Sequence, residues 1–126
     1  MDLSEIGARF GFFWGKPAET RVLYDALVRV IGEQGPFEPV PTKTRITFML
    51  RVRFTAVNRV RRDGSLVCHL WLKRRVESPR FTKVELLGRS DWVHHFVLRS
   101  EADLDEELRA WMREAYDVGR QTHLQG

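Results

Sequence analysis

The chain has 126 residues, of which 43% are hydrophobic and 30% are charged, with a net charge of +4 and one cysteine. This length suits one domain with one core, and the composition is that of a folded protein rather than a disordered one. A single cysteine excludes an intramolecular disulfide and a thiolate metal cluster within the chain. No run approaches the roughly 20 apolar residues of a membrane span, and acids stand near the N-terminus where a signal peptide has basic residues. We expect one cytoplasmic domain over residues 1–126.

The positive charge belongs to the middle of the chain. Residues 43–99 hold 14 Lys/Arg against four Asp/Glu, whereas residues 1–42 hold four against six and residues 100–126 hold three against seven. Such asymmetry indicates either a polyanionic partner or a contact between the basic and acidic parts of the protein.

The N-terminal third predicts an apolar segment, a helix and an extended connection. Residues 1–16 crowd five large apolar side chains between glycines, so we expect this aromatic segment to pack on the body of the domain. Residues 17–32 predict a helix, with proline in its first turn and glycine at its end. Its apolar residues occupy most of its circumference, so the helix should be covered on more than one side. The proline-rich stretch "GPFEPVPTKT" predicts an extended connection.

From residue 44 to residue 99 the pattern is that of an antiparallel sheet. Apolar and polar residues alternate with a period of two, and one strand over residues 45–61 would be about three times the usual length, so we predict a bend near residues 50–52. The stretch "RDGS" predicts a tight hairpin, because Asp-Gly tolerates positive φ. The stretches "LVCHLWLK", "KVELLG" and "WVHHFVLR" predict the remaining strands, about five in all.

Residues 100–119 predict a second helix, with Ser100 as its N-cap and Gly119 closing it. The order of elements therefore predicts an α+β fold: an antiparallel sheet of about five strands, with the N-terminal and C-terminal helices packed on one face.

Strand parity predicts which side chains lie on the face away from the helices. The inward set should include Phe54, Ala56, Asn58 and Val60, then Leu66, Cys68, Leu70 and Leu72, then Trp92, His94, Phe96 and Leu98. The outward set should include Thr55 and Val57 together with basic and aromatic residues. From this outward set we select eight candidate binding residues: Arg53, Arg59, Arg61, His69, Trp71, Lys73, His95 and Arg99.

The adjacent histidines are not predicted to form a metal site. Neighbouring residues on a strand point to opposite sides of the sheet, so His94 and His95 cannot converge on one ion without a bulge. No catalytic motif or paired-cysteine zinc spacing is present, and Cys68 has the parity of a buried thiol. We assign no catalytic residue, no metal and no cofactor, and we expect a binding module rather than an enzyme.

Three functions fit the predicted basic face. Arginines contact phosphates, and Trp71 and His69 would stack on bases, which favours a polyanion partner and nucleic acid above others. The alternatives are a protein-interaction or homodimerisation domain that uses this face or the first helix, and a domain that binds a small anionic ligand near His69 and His95. A simpler interpretation is also open, because antiparallel sheets often leave one face to water, with arginine stems covering apolar surface.

Two long stretches carry a family resemblance. "PTKTRITFMLRVRFTAVNRVRRDGSLVCHLWL" and "DWVHHFVLRSEADLDEELRAWMREAYDVG" resemble a bacterial family catalogued only as a domain of unknown function. The resemblance implies a small α+β domain and brings no catalytic residues. It also implies relatives at the C-termini of larger proteins labelled predicted transport proteins.

Overall fold

The computed structural model describes residues 16–121. The predicted packing of the aromatic segment 1–16 therefore lies, apart from residue 16, outside the described residues. The elements, in chain order, are α1 (Ala18–Gly32), β1 (Glu38–Pro41), β2 (Ile46–Met49), β3 (Arg53–Val60), β4 (Leu66–Leu72), β5 (Phe81–Leu87), β6 (Asp91–Leu98), a 3₁₀ turn (Glu101–Asp103) and α2 (Glu106–Arg120).

The α+β fold with an antiparallel sheet is confirmed, but the sheet has six strands rather than about five. Its order is β1-β2-β3-β4-β6-β5. The additional strand is β1, which we predicted as an extended connection because of its prolines. Pro39 pairs with Phe48 and Pro41 pairs with Ile46 at the edge of the sheet, where a strand tolerates residues that cannot donate a backbone hydrogen bond.

Both helices pack on the same face of the sheet. Side chains of α1 such as Tyr24 and Ile31, and side chains of α2 such as Leu108 and Met112, join Phe48 and other strand residues in one buried cluster. The face that these helices cover is called the helix face below, and the opposite face is called the outer face. The seven buried residues of α1 recur every three or four positions and so lie along one face of the helix, whereas Val22 is 55% exposed. The prediction that this helix is covered on more than one side is therefore wrong.

The predicted hairpin and bend both form. Arg61 N donates to Ser65 O at 2.9 Å, Gly64 has a φ of 91°, and Asp63 Oδ1 accepts from Ser65 N and Ser65 Oγ. Residues 50–52 separate β2 from β3. The hairpin places the end of β3 beside the start of β4.

The C-terminal helix begins later than predicted. Ser100 caps the 3₁₀ turn, with Asp103 Oδ2 accepting from the backbone N–H of Ser100. The α-helix starts after Asp105, whose side chain accepts from Leu108 N at 3.0 Å. It continues through Gly119 to Arg120, and the left-handed residue after it is Gln121, with a φ of 58°. The prediction that Gly119 closes the helix is therefore wrong.

Gly119 has a different role, because the end of α2 packs against β3 at this residue. A Cβ on Gly119 would lie 2.7 Å from Cδ1 of the fully buried Phe54, whereas a Cβ on Gly32, at the end of α1, would lie 3.8 Å from Cε1 of Phe37. We expect Gly119→Ala to lower the free energy of unfolding by about 1–3 kcal/mol through overpacking. The matched variant Gly32→Ala should raise it by about 0.5 kcal/mol by restricting the unfolded chain. Urea denaturation measures both changes, and equal effects of the two variants would contradict the contact.

Strand parity is confirmed for β4 and β6. Leu66, Leu70 and Leu98 are fully buried in the core cluster, and the register pairs Leu70 with His94 on the helix face and His69 with His95 on the outer face. His94 and His95 therefore point to opposite sides of the sheet, as predicted.

Parity is wrong for part of β3 because this strand contains two bulges. Phe54 is an extra residue opposite β2, and Asn58 is an extra residue opposite β4. Each bulge reverses the alternation. Val57 and Thr55, predicted to point outward, therefore pair with Cys68 and Leu70 of the helix face. Ala56, predicted to point inward, pairs with His69 of the outer face, and Asn58 lies within the second bulge.

Candidate functional site

The structure separates the eight candidate residues into three groups along the outer face. Arg59, Arg61 and Arg99 lie at the end of the sheet that carries the "RDGS" hairpin. His69 and His95 lie in the middle, and Arg53, Trp71 and Lys73 lie toward the opposite end, near the C-terminus of α2. The middle group and the opposite-end group are in contact, because the ring centroids of His69 and Trp71 are 6.0 Å apart.

The hairpin end gathers more cations than we predicted. Arg45 joins the group because it precedes Ile46, which pairs with Val57 near the end of β3. Arg62 lies in the turn itself, and Lys16 Nζ donates to Val60 O at 3.3 Å. The resulting group, called the hairpin cluster below, comprises Lys16, Arg45, Arg59, Arg61, Arg62 and Arg99. All are exposed except Arg61, which is half-buried.

Asp63 lies among these cations, but hydrogen bonds within the turn engage it. Its carboxylate accepts two hydrogen bonds from Ser65, and these hold the pKa of Asp63 below its usual range, with smaller contributions from the charges of Arg61 and Arg99. The influence of both arginines on one carboxylate places them around the same turn.

Five cations elsewhere in residues 43–99 are paired with acids. Arg74 lies 2.8 Å from Glu114, Arg80 lies 2.6 Å from Asp105, and Lys73 forms an ion pair with Asp91. Arg75 pairs with Glu77 and Lys83 pairs with Glu85 at longer distances. Within residues 16–121, none of the six side chains of the hairpin cluster makes an ion pair. Lys43, Arg51, Arg53 and Arg89 make no ion pair in this range either. The hairpin end therefore holds the largest group of unpaired cations in the basic segment, but not all of them.

The middle of the outer face holds a chain of three polar side chains. The ring centroids of His69 and His95 are 5.5 Å apart, and His95 Nε2 lies 2.8 Å from Glu85 Oε1. This contact with His95 is the main reason that the pKa of Glu85 is lowered. His69 is 6% exposed, and burial lowers its pKa to about 4, with further lowering by the charges of His95, Arg45 and Arg53. His69 is thus neutral near pH 7.

Trp71 is buried at the opposite end of the outer face. Trp71 is 7% exposed, Cζ of Arg53 lies 3.9 Å from its ring centroid, and Val93 and Val118 pack beside it. Among the described residues, neither Trp71 Nε1 nor His69 Nδ1 has a hydrogen-bond partner. The two rings that we predicted to stack on bases therefore present no open face in this structure.

Two further residues discussed from the sequence lie in the core. His94 is fully buried on the helix face, where its Nε2 accepts from Val76 N at 3.0 Å and its Nδ1 lies 3.1 Å from Trp92 O, and burial lowers its pKa. Burial also raises the pKa of the Cys68 thiol. Over residues 16–121, no three His, Cys, Asp or Glu side chains come together as a metal site. None of the described helices is long and apolar enough to cross a membrane.

Residues 11–119 match the family described as "Domain of unknown function (DUF5655)". The chain belongs to this family. Neither the search of curated proteins nor the search of solved structures finds a match. Membership in DUF5655 confirms the resemblance to a domain of unknown function, while a bacterial source and placement within larger proteins stay predictions. The family description names no activity, so the functional argument for this DUF5655 domain depends on its own geometry.

Our sequence reasoning missed part of this geometry. Arg45 and Arg62 belong to the hairpin cluster, and their signals were present in the sequence. Arg62 is the first residue of the predicted turn, and Arg45 is the first residue of the first predicted strand. Glu85 was missed as well, although it lies two residues after Lys83 and therefore on the same face of a predicted strand. Pairing between β5 and β6 brings it beside His95, and the sequence does not specify that order of strands.

Proposed function

We propose that this DUF5655 domain is a non-enzymatic binding module and that its hairpin cluster engages a polyanion, with nucleic acid as the preferred partner. The observation that carries the proposal is the gathering of six unpaired cations at one end of the sheet, while five other cations of the basic segment are matched with acids. Five of the six are arginines, whose planar guanidinium groups make paired hydrogen bonds to phosphate oxygens.

The geometry favours contacts with the phosphate backbone over recognition of bases. Trp71 and His69, the aromatic groups of the outer face, are buried, and Arg53 lies over the Trp71 ring. Arg59 and Arg99, in contrast, extend from the ends of β3 and β6 into solvent. Contacts of this kind supply affinity that depends on salt and depends little on sequence.

A direct experiment is fluorescence anisotropy with labelled 20-nucleotide probes (about two turns of duplex), in duplex DNA, single-stranded DNA and single-stranded RNA forms, at low salt. We expect all three phosphate polymers to bind with little preference among sequences, and we expect polyglutamate of equal charge to compete poorly, because carboxylates are spaced differently along its chain. Absence of binding to every phosphate polymer at low salt would refute the proposal.

The alternative of a small anionic ligand near His69 and His95 is less favoured by the geometry. His69 is neutral near pH 7 because of its burial, and His95 is engaged by the carboxylate of Glu85. Attraction of an anion to this position would have to overcome Glu85. A thermal-shift screen with phosphate and carboxylate metabolites tests this alternative, and a hit that His95→Gln abolishes would support it.

A further inference from the structure

The two edges of the sheet differ in how they are protected. β1 is four residues long and contains Pro39 and Pro41, which limits the pairing of another strand with this edge. β5 is seven residues long and contains no proline. Among the strands of residues 16–121, β5 pairs with β6 alone, so the backbone groups along its other side are available to a further strand.

The side chains of β5 also suit an interface. Leu86 and Leu87 are 46% and 47% exposed, and they account for two of the four large hydrophobic residues that are exposed to this extent in the described chain. Lys83 and Glu85 lie on the outer face of the strand, where the side chain of Lys83 is 66% exposed and that of Glu85 is 36% exposed. An exposed edge strand of this length with apolar residues is a site for strand addition.

We propose that β5 pairs antiparallel with β5 of a second copy of this chain. The two-fold axis is perpendicular to the sheet and lies midway between Val84 and Val84 of the second copy. In this register, Lys83 of each copy lies directly opposite Glu85 of the other copy. Leu86 lies opposite Thr82, and the two six-stranded sheets become continuous. Symmetric pairing of this kind is the usual form of a homodimer interface.

The charges select this register over its neighbours. If the axis lay beside Glu85, the two Glu85 carboxylates would lie opposite each other. If it lay beside Lys83, the two Lys83 ammonium groups would lie opposite each other. Like charges directly opposite each other on paired strands are destabilising. Glu85 is suited to the contact because Oε1 is held by His95 at 2.8 Å, while Oε2 has only a loose contact with Lys83 of its own chain at 3.5 Å.

Sedimentation equilibrium of the purified protein, without nucleic acid, tests the proposal. We expect the wild-type protein to dimerise reversibly. Lys83→Glu and Glu85→Lys should each weaken the association at least about tenfold, because each variant places like charges opposite each other across the interface. The double variant K83E/E85K restores the complementary arrangement and should dimerise like the wild type. Arg113→Glu, a charge reversal on the exposed surface of α2, is the control and should leave the dimer unchanged.

Mixing the two single variants distinguishes the interface from effects within one chain. K83E presents two acids and E85K presents two lysines, so an equimolar mixture should form heterodimers although neither variant dimerises well alone. A wild-type protein that stays monomeric up to about 100 μM, or a mixture that does not associate, would overturn the proposal. Because Arg59 and Arg61 are unchanged in all these proteins, the result is independent of polyanion binding.

Discussion

Acidification is expected to lower the free energy of unfolding by about 3 kcal/mol through His69 alone. The pKa of His69 falls from an ordinary value of 6.5 to about 4 in the folded protein, chiefly because the ring is buried. As the pH falls, the unfolded chain therefore binds a proton before the folded protein does. Above pH 6.5 the ring is neutral in both states and proton binding costs the folded protein no stability. As the pH falls from 6.5 towards 4, the free energy of unfolding decreases progressively.

The measurement is urea denaturation of the wild type and of His69→Phe at a series of pH values from 7.5 to 4, a range that spans both pKa values. The phenyl ring keeps an aromatic group at this position and cannot be protonated. We expect the difference in stability between the two proteins to change by about 3 kcal/mol across this range, in favour of the variant at low pH. Parallel pH profiles would contradict the burial of His69.

Comparison with the variant is necessary because other groups titrate in overlapping ranges. Burial lowers the pKa of His94, so protonation of the unfolded chain at His94 also lowers the free energy of unfolding as the pH falls. A hydrogen bond from Arg80 is the main reason that the pKa of Asp105 is lowered, and the contact with His95 is the main reason for Glu85. Each carboxylate therefore stops contributing to the free energy of unfolding as the pH falls through its lowered pKa. Both effects persist in His69→Phe and cancel in the difference.

Charge reversal at the hairpin end should have the largest effect on binding. We expect R59E/R61E to weaken affinity for duplex DNA by at least about a hundredfold at low salt, because two phosphate contacts are lost and two like charges face the backbone. The matched control is R113E/R120E, which changes the net charge equally at two exposed positions on α2. The control should change affinity by less than about threefold. Equal losses in the two double variants would assign binding to net charge rather than to the hairpin cluster.

Local signals predicted much of the fold. Strict alternation over β4 and β6 gave the correct faces, and the Asp-Gly pair gave the hairpin. The alternation of β3 looked equally regular in the sequence, but Phe54 and Asn58 are bulged, and a bulge forms through register with neighbouring strands rather than through the residue itself. β1 was missed because prolines argue against a strand unless it is known to lie at an edge.

The candidate site was less predictable because ion pairing is a tertiary property. The sequence shows 14 cations in the middle of the chain, but it does not show that Arg74 meets Glu114, 40 residues away, or that Lys73 meets Asp91. Only the folded arrangement separates those neutralised cations from the six of the hairpin cluster. The burial of Trp71 likewise depends on Val118, which the end of α2 brings beside it.

The salt dependence of duplex DNA binding tests the central claim most directly. If about four side chains of the hairpin cluster contact phosphates, the slope of log affinity against log salt concentration is predicted to be about −3.6 for the wild type and about two units shallower for R59Q/R61Q. Arg→Gln substitution removes each contact without adding repulsion. Equal slopes for the two proteins would contradict the account, because they would show that Arg59 and Arg61 displace no counterions on binding.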